Sequence, residues 1–461
     1  MRNSCGPGHI DETGRSLRLR IHNVTINMEG NSTFDQAFSL MGGSGGTCCL
    51  SFEEMKLVAQ PNIRVLPIPE RWCVHSYYSL CPYAPDGSGR ILISGVSLES
   101  QKAEVLVLSA DGTVLHRIGS VEVTPSYWHT GLWQSWSPDG NAVYYQSGTH
   151  LEPRTTRHDL ISGKEIHVDG DIEGMPPRGE IGLSCSHGML YAAGYGGNGY
   201  HPERSPVPFQ ERSAHGVSRT SFFPPQIELA LSTQEILDRH PQREQILEAD
   251  SAIQRRLGED EGLTLMSYCV RWNRSGSRCL FFFGNHCVVK DRGEPKITSI
   301  FTADPELRDL HLAVDCSFDR FGVHWSWQAD DENLIGYGPD PDNPTKLCLA
   351  EVRYDGTGYR KISDHASGGH PSTSPVDHNL VVTDEGSAEG GNVVFLSKRT
   401  GEIIERVPLP KFVGESEPKG RNALRVCHHP VFNHQGDRVL CNSLPGEFAT
   451  MVEITPPSLS T

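Results

Sequence analysis

Ser137-Pro-Asp-Gly-Asn-Ala-Val-Tyr-Tyr145 decides the architecture, because its pattern recurs along the chain. A polar tight turn is followed at once by a short apolar, β-prone run. The same element reads Pro85-Asp-Gly87 before Ile91-Leu-Ile-Ser94, and more loosely Ser186-His-Gly188 before Met189-Leu-Tyr191. Further copies are Arg274-Ser-Gly276 before Cys279-Leu-Phe-Phe-Phe283, and Ala329-Asp-Asp331 before Asn333-Leu-Ile335. The last two are Ser374-Pro-Val-Asp377 before Leu380-Val-Val382, and His434-Gln-Gly436 before Arg438-Val-Leu440. Asp-Gly pairs supply the positive φ angles that hairpin turns need, and the runs after them have strand composition.

These seven copies lie mostly about 47 to 58 residues apart. A second turn often falls within the period, as at Ser109-Ala-Asp-Gly112 and Lys398-Arg-Thr-Gly401. Two hairpins per period make a four-stranded blade, and seven blades close into a propeller. The expected fold is therefore all-β, a seven-bladed β-propeller over residues 65–461. Several unrelated β-domains are the alternative, and the regular period argues against them. The wide gap between Gly188 and Gly276 predicts an insertion between the third and fourth blades. Residues 226–258 carry its helical pattern, with Ser232-Thr-Gln-Glu235 as a capping box and Pro241 as a break. Residues 1–64 read as an irregular, Gly-rich segment with a possible closing strand.

Composition agrees with short strands and many turns. The 461 residues include 47 Gly and 31 Pro. Lys plus Arg is 41 against 57 Asp plus Glu, a net charge of −16, which argues against nucleic acid as the main partner. No apolar run approaches the roughly 18 residues of a membrane helix. The N-terminus shows no secretory leader, so the expected location is cytoplasmic for a complete chain and extracellular if a leader was removed. The thirteen cysteines, two of them adjacent at Cys48-Cys49, do not read as a disulfide scaffold.

Three groups of residues could carry chemistry. His129 and His150 flank one hairpin, whose two ends meet at the same rim; ordinary rim histidines are the alternative. Gly194-Tyr195-Gly-Gly-Asn-Gly-Tyr200 is followed by Arg212 and Arg219. Glycines free the backbone to place tyrosines in a cleft, and arginine can clamp a carboxylate with two hydrogen bonds. A flexible loop with solvated arginines is the competing reading. His324, His370 and the Cys427-His428-His429 block each stand before one of the last three repeat turns, in equivalent positions of successive blades. Imidazoles and a thiol converging there have the ligand chemistry for zinc or a similar metal; histidines capping the blade core are the alternative. No nucleophile elbow, zinc-protease pair or dinucleotide fingerprint appears, and no organic cofactor is expected.

The ordered blocks Tyr77-Tyr78-x-x-Cys-Pro-Tyr-Ala-Pro-Asp-Gly87, Trp128-His-Thr-Gly131, Ser299-Ile-Phe-Thr-Ala-Asp304, Val323-His-Trp-Ser-Trp327, Gly369-His-Pro-Ser372 and His429-Pro430 resemble the seven-bladed β-propeller polysaccharide lyases. That group comprises the ulvan lyases and, more distantly, the oligogalacturonate lyases. The resemblance implies β-elimination at a 4-linked uronic acid of an acidic polysaccharide or oligosaccharide. It implies His129 and His150 as the catalytic histidine pair, joined by a tyrosine and an arginine. Tyr200 and Arg219 are the first choices for these, with Tyr195 and Arg212 as rivals. It implies metal positions at His324, His370, Cys427 and His429, holding a structural zinc or other divalent ion. Where relatives carry Asn-His before the fourth repeat strand, this chain has Tyr268-Cys269. A non-catalytic glycan- or protein-binding propeller and a propeller glycoside hydrolase are the competing functions.

Overall fold

The computed structural model describes residues 60, 62–66, 68, 71–97, 99–100, 102–123, 130–149, 151–188, 205–285, 292–387, 390–410, 426–445 and 448–458, and the backbone of 17–21 and 24–28. The last two segments pair as a hairpin, β1 (Leu17–Ile21) and β2 (Val24–Met28). Seven sheets follow, and they form a seven-bladed propeller.

Strand β3 (Ile63–Leu66) belongs to the last blade. Blade 1 is β4 (Trp72–Val74), β5 (Ile91–Ser97), β6 (Lys102–Leu108) and β7 (Val114–Glu122). Blade 2 is β8 (Ser135–Trp136), β9 (Ala142–Gln146), β10 (Arg154–Asp159) and β11 (Glu165–Asp169). Blade 3 has β12 (Ile181–Cys185), β13 (Gly216–Phe222) and β14 (Pro225–Ser232); its innermost position is held by a single bridge from Ile172 to Ser184. Blade 4 is β15 (Met266–Trp272), β16 (Cys279–Gly284), β17 (Thr298–Ala303) and β18 (His311–Asp315). Blade 5 is β19 (Val323–Trp327), β20 (Asn333–Asp340), β21 (Asn343–Arg353) and β22 (Arg360–Ser363). Blade 6 is β23 (Ser372–Thr373), β24 (Leu380–Ser387), β25 (Gly390–Ser397) and β26 (Ile403–Leu409). Blade 7 is β27 (Val431–Phe432), β28 (Val439–Ser443) and β29 (Thr450–Ile454), closed on the outside by β3.

The burial pattern explains the sequence pattern. Second strands are packed on both faces by neighbouring blades, so Ala142–Gln146 and Cys279–Gly284 are buried throughout. Outer strands alternate, as Val114–Glu122 and Ile403–Leu409 do, because one face meets water. Tryptophans lock successive blades together: Trp136 Nε1 donates to the Pro82 carbonyl at 2.8 Å, and Trp327 Nε1 to that of Arg271 at 3.0 Å. The turn glycines Gly87, Gly140, Gly276 and Gly436 all take φ between 69° and 74°, as their turns require.

The expected insertion is present as two helices between blades 3 and 4, α1 (Thr233–Asp238) and α2 (Arg243–Leu257), but residues 226–232, read as part of its helical pattern, form the outer strand β14 instead. Ser232 caps α1 reciprocally with Glu235, and Pro241 lies in the break. Among the described residues no helix is long and apolar enough to cross a membrane.

Candidate functional site

The innermost segments of all seven blades bring chemistry-bearing residues to the ring axis. Blade 1 supplies His75, Tyr77 and Tyr78, just past β4, where a turn closed by Leu80 N–H and the Tyr77 carbonyl interrupts the strand path. Blade 2 supplies Trp133, blade 3 Asp171 and Glu173, blade 4 Cys269 and Arg271. Blades 5, 6 and 7 supply His324, His370 and His429. Tyr77 is the hub. Its ring centroid lies 5.3 Å from that of Trp133, 6.5 Å from His324, 5.6 Å from His370 and 4.8 Å from His429.

Backbone irregularity aims several of these side chains. Pairing shifts register between Tyr268 and Arg271 in blade 4, and between Val323 and Ser326 in blade 5. Cys269 and His324 sit inside those bulges with φ of 56° and 55°; Trp133 and His429 take 52° and 45°. Left-handed φ costs a side-chain-bearing residue about 1–2 kcal/mol. Four of the seven such residues among the described ones lie in this axial group, a concentration of backbone strain.

The histidines of blades 5 to 7 lie close together at the axis. The His324 and His370 rings are 4.1 Å apart and 32° from parallel; His370 and His429 are 4.3 Å apart and nearly perpendicular. His324 Nδ1 donates to the Gly368 and Gly369 carbonyls at 2.8 and 3.0 Å, which puts its lone pair on Nε2. Burial, with help from His370 and Arg271, lowers its pKa to about 3, so the ring is neutral. His370 Nδ1 lies 2.9 Å from Asp384 Oδ1, and the same oxygen accepts the His370 backbone N–H at 2.7 Å. Cys427 is half-buried beside this group, its carbonyl accepting from Asn442 Nδ2 at 3.1 Å. Anchored Nδ1 atoms are how metal-binding imidazoles are held. As the side chains stand, however, no group of three His, Cys, Asp or Glu among the described residues forms a metal cage.

Arg271 is the cation of the axis. It is 4 % exposed. Its Nη1 donates to Tyr78 Oη at 2.6 Å and also to the Trp325 carbonyl. Its guanidinium carbon lies 4.9 Å from the Tyr77 ring centre and 5.0 Å from that of Tyr78. Glu173 accepts the Cys269 N–H at 2.9 Å, catching a donor that the bulge withdraws from the ladder. Burial first, and then Asp171, push the Glu173 carboxyl well above the usual range. Burial likewise raises the Tyr77 and Tyr78 phenols, so both remain hydrogen-bond donors near neutrality.

The second sequence group is placed differently. Arg212 is buried, with Nη2 2.5 Å from Asp250 Oδ1, and pins helix α2 to blade 3. Arg219, on β13, pairs with Glu306 at 2.6 Å, bridging blade 3 to blade 4. Both guanidiniums are thus committed to carboxylates of the protein. His129, His150, Tyr195 and Tyr200 lie outside the described residues. Arg271, Glu173, Tyr77 and Tyr78 belong to none of the three chemical groups legible in the sequence. One signal existed: Arg271 stands two residues past Cys269, where this chain departs from the lyase pattern.

No protein-family profile matches the chain, and no curated protein matches it. Solved structures do. An oligogalacturonate lyase in complex with manganese superposes with a TM-score of 0.58 at 13% identity, over 86% of this chain and 93% of that one. An oligogalacturonate lyase from Vibrio parahaemolyticus gives 0.57 at 12% identity, over 86% and 94%. At such identity the likeness is one of fold.

Proposed function

We propose that this protein is a lyase that cleaves 4-linked uronic-acid glycans by β-elimination, leaving an unsaturated uronate end. The observation that carries the reading is the axial group itself: Arg271 with Tyr77 and Tyr78, beside the imidazoles of His324, His370 and His429. The likeness in fold to two oligogalacturonate lyases supports it. The specific resemblance to ulvan lyases rests on sequence blocks alone.

The chemistry asks for three things. The C5 proton of a uronate is weakly acidic, because the neighbouring carboxylate resists further negative charge. A fixed cation must neutralise that carboxylate as the enolate develops. Arg271 is our candidate for this cation, although it is 4 % exposed and bonded to Tyr78 and the Trp325 carbonyl, so a substrate would have to part the ring to reach it. Arg219, 30 % exposed in its pair with Glu306, is the accessible rival, and Arg212 is buried against Asp250. A group with a pKa near neutrality must remove the proton. His324, lowered to about 3, is too weak a base for that. The role falls to His129 or His150, the pair the sequence nominates. A protonated phenol can then donate to the departing O4; Tyr77 and Tyr78 join Tyr195 and Tyr200 as candidates.

His324, His370 and His429 are the residues that would hold a divalent cation, but as they stand they form no cage of three ligands, so binding would require their side chains to shift. Zinc is the ion that an imidazole set with a nearby thiol favours. When bound, such an ion supplies further positive charge. Elemental analysis of the purified protein, repeated on the His324→Ala and His370→Ala variants, tests this.

One observation favours a second reading, a glycan-binding propeller without catalysis. Tyr77, His370 and His429 are only 3, 5 and 0 % exposed, so substrate would have to part the ring to reach them. Incubation with ulvan, pectate fragments and glucuronan separates the two, since elimination alone creates a conjugated, ultraviolet-absorbing product. A hydrolase would release reducing ends without that absorbance.

A further inference from the structure

A cleft of about 470 Å³ opens where the ring closes, between blade 7, blade 1 and the closing strand β3. It lies at the turn end of the blades: His429 leads into β27, and Asn433 and Gln435, in the turn after β27, form one wall with Asp437 and Arg438. The other wall is the blade 1 turn, Gly87 and Gly89. The cleft is thus separate from the axial group.

Its floor is a buried carboxylate. Glu453 is 3 % exposed, accepts from Tyr83 Oη at 2.8 Å, and is held by Arg64 Nε at 2.6 Å. Arg64 belongs to β3 and Glu453 to β29, so this pair is also the seam that joins the ends of the ring. At the rim Arg438 is 44 % exposed by side chain, near the more exposed Asp437. Two guanidiniums therefore face two carboxylates, and the lining is close to neutral. The blade 1 side is small: a Cβ added at Gly87 would meet nothing within 4 Å.

We propose that this cleft binds a single neutral sugar unit. Three features select it. The volume lies within the usual range of small-molecule sites, about 300–1,000 Å³. Paired charges of both signs suit hydroxyl groups, which both donate and accept; a multiply charged anion would meet Glu453 and Asp437. The glycine wall leaves room for a ring to approach backbone. Because β3, β29 and the blade 1 turn all contribute, an occupant fastens the seam, and ring closure becomes linked to binding.

The test is thermal unfolding of the full chain with D-galactose, D-glucose, D-xylose or L-rhamnose, with saturation-transfer NMR on the same samples. Sodium glucuronate serves as the charged comparison. The expected result is a saturable rise in unfolding temperature with at least one neutral sugar, in the millimolar range, together with transfer to its protons. Arg438→Ala should weaken binding at least several-fold, and Ala110→Trp, which fills the cleft from its exposed side, should abolish it. Neither change touches the axial residues, so the result stands apart from the lyase reading. No saturable effect with any neutral sugar, tighter binding of glucuronate than of all of them, or binding that survives Ala110→Trp would each overturn the proposal.

Discussion

Arg271 of blade 4 donates to the Tyr78 hydroxyl of blade 1 at 2.6 Å, joining two non-adjacent blades across the propeller axis. The contact is enclosed on both sides, and Glu173 lies close enough to feel the same charge. Breaking a buried charge network by removing one partner costs about 3–5 kcal/mol. Arg271→Ala should therefore lower the urea midpoint sharply. Tyr78→Phe removes only one hydrogen bond and should cost about 1–3 kcal/mol. Equal, small losses for both variants would show that the cation is not integral to the core.

His324 provides a cleaner separation of fold from function. Its φ of 55° is a glycine conformation. His324→Gly relieves the strain, so the variant should be destabilised less than His324→Ala by about 1 kcal/mol. Both should lose the same axial chemistry. Denaturant curves for the pair, read beside product formation, check this; a glycine variant less stable than the alanine variant contradicts the strain assignment.

The two blade 3 arginines should differ in kind. Arg212 and Asp250 are 8 and 9 % exposed by side chain, so Arg212→Ala leaves a buried charge without its partner and should cost about 3–5 kcal/mol. Arg219 and Glu306 are 30 and 40 % exposed, and Arg219→Ala should change stability by no more than about 1 kcal/mol. If Arg219→Ala keeps its stability yet abolishes product formation, Arg219 and not Arg271 is the carboxylate partner.

The buried imidazoles should make acid destabilising before the ordinary surface carboxylates titrate. Burial lowers the imidazoles of His187, His215 and His240 below the ordinary 6.5. The unfolded chain therefore takes up protons first as pH falls through 6.5. Stability should be flat with respect to these groups above that pH and decline below it. Each contributes a slope of up to about 1.4 kcal/mol per pH unit. Unfolding free energies from pH 8 to pH 5 measure this, and His240→Gln should reduce the slope. Glu173, whose carboxyl burial raises, works in the opposite direction by taking its proton first in the folded state. An unchanged slope in His240→Gln is therefore the result that would contradict the assignment.

What the sequence made legible follows from locality. Repeat turns are local, so their spacing reveals the blades. In blade 3, however, Ser186-His-Gly188 follows strand β12 instead of preceding the second strand, and residues 189–191 lie outside the described residues. The Ser232–Glu235 cap is local too, and it begins α1 as read. His324, His370 and His429 were legible because equivalent positions of a repeat converge by symmetry. Arg271 and Glu173 were not, since their importance comes from a bulge at Cys269 that no turn or period announces. The partners of Arg212 and Arg219 were hidden for a related reason. Asp250 lies on an inserted helix and Glu306 in the next blade, and only tertiary packing chooses them.

The central claim is that the protein performs elimination at a uronate, with His129 or His150 as base and Arg271 as the cation that neutralises the carboxylate. The most direct measurement is the ultraviolet absorbance of the product from a panel of uronate glycans, with wild type beside His129→Ala, His150→Ala and Arg271→Lys. His158→Ala and His167→Ala, on the outer strands of blade 2, are the controls. The expected result is unsaturated product from wild type and both controls. His129→Ala and His150→Ala should each lose about 10²- to 10⁴-fold, the usual cost of removing an acid–base group. Arg271→Lys should lose activity because an ammonium cannot reproduce the fixed fork of a guanidinium. Absence of unsaturated product from every glycan with wild type, or full activity in all three test variants, would contradict the account.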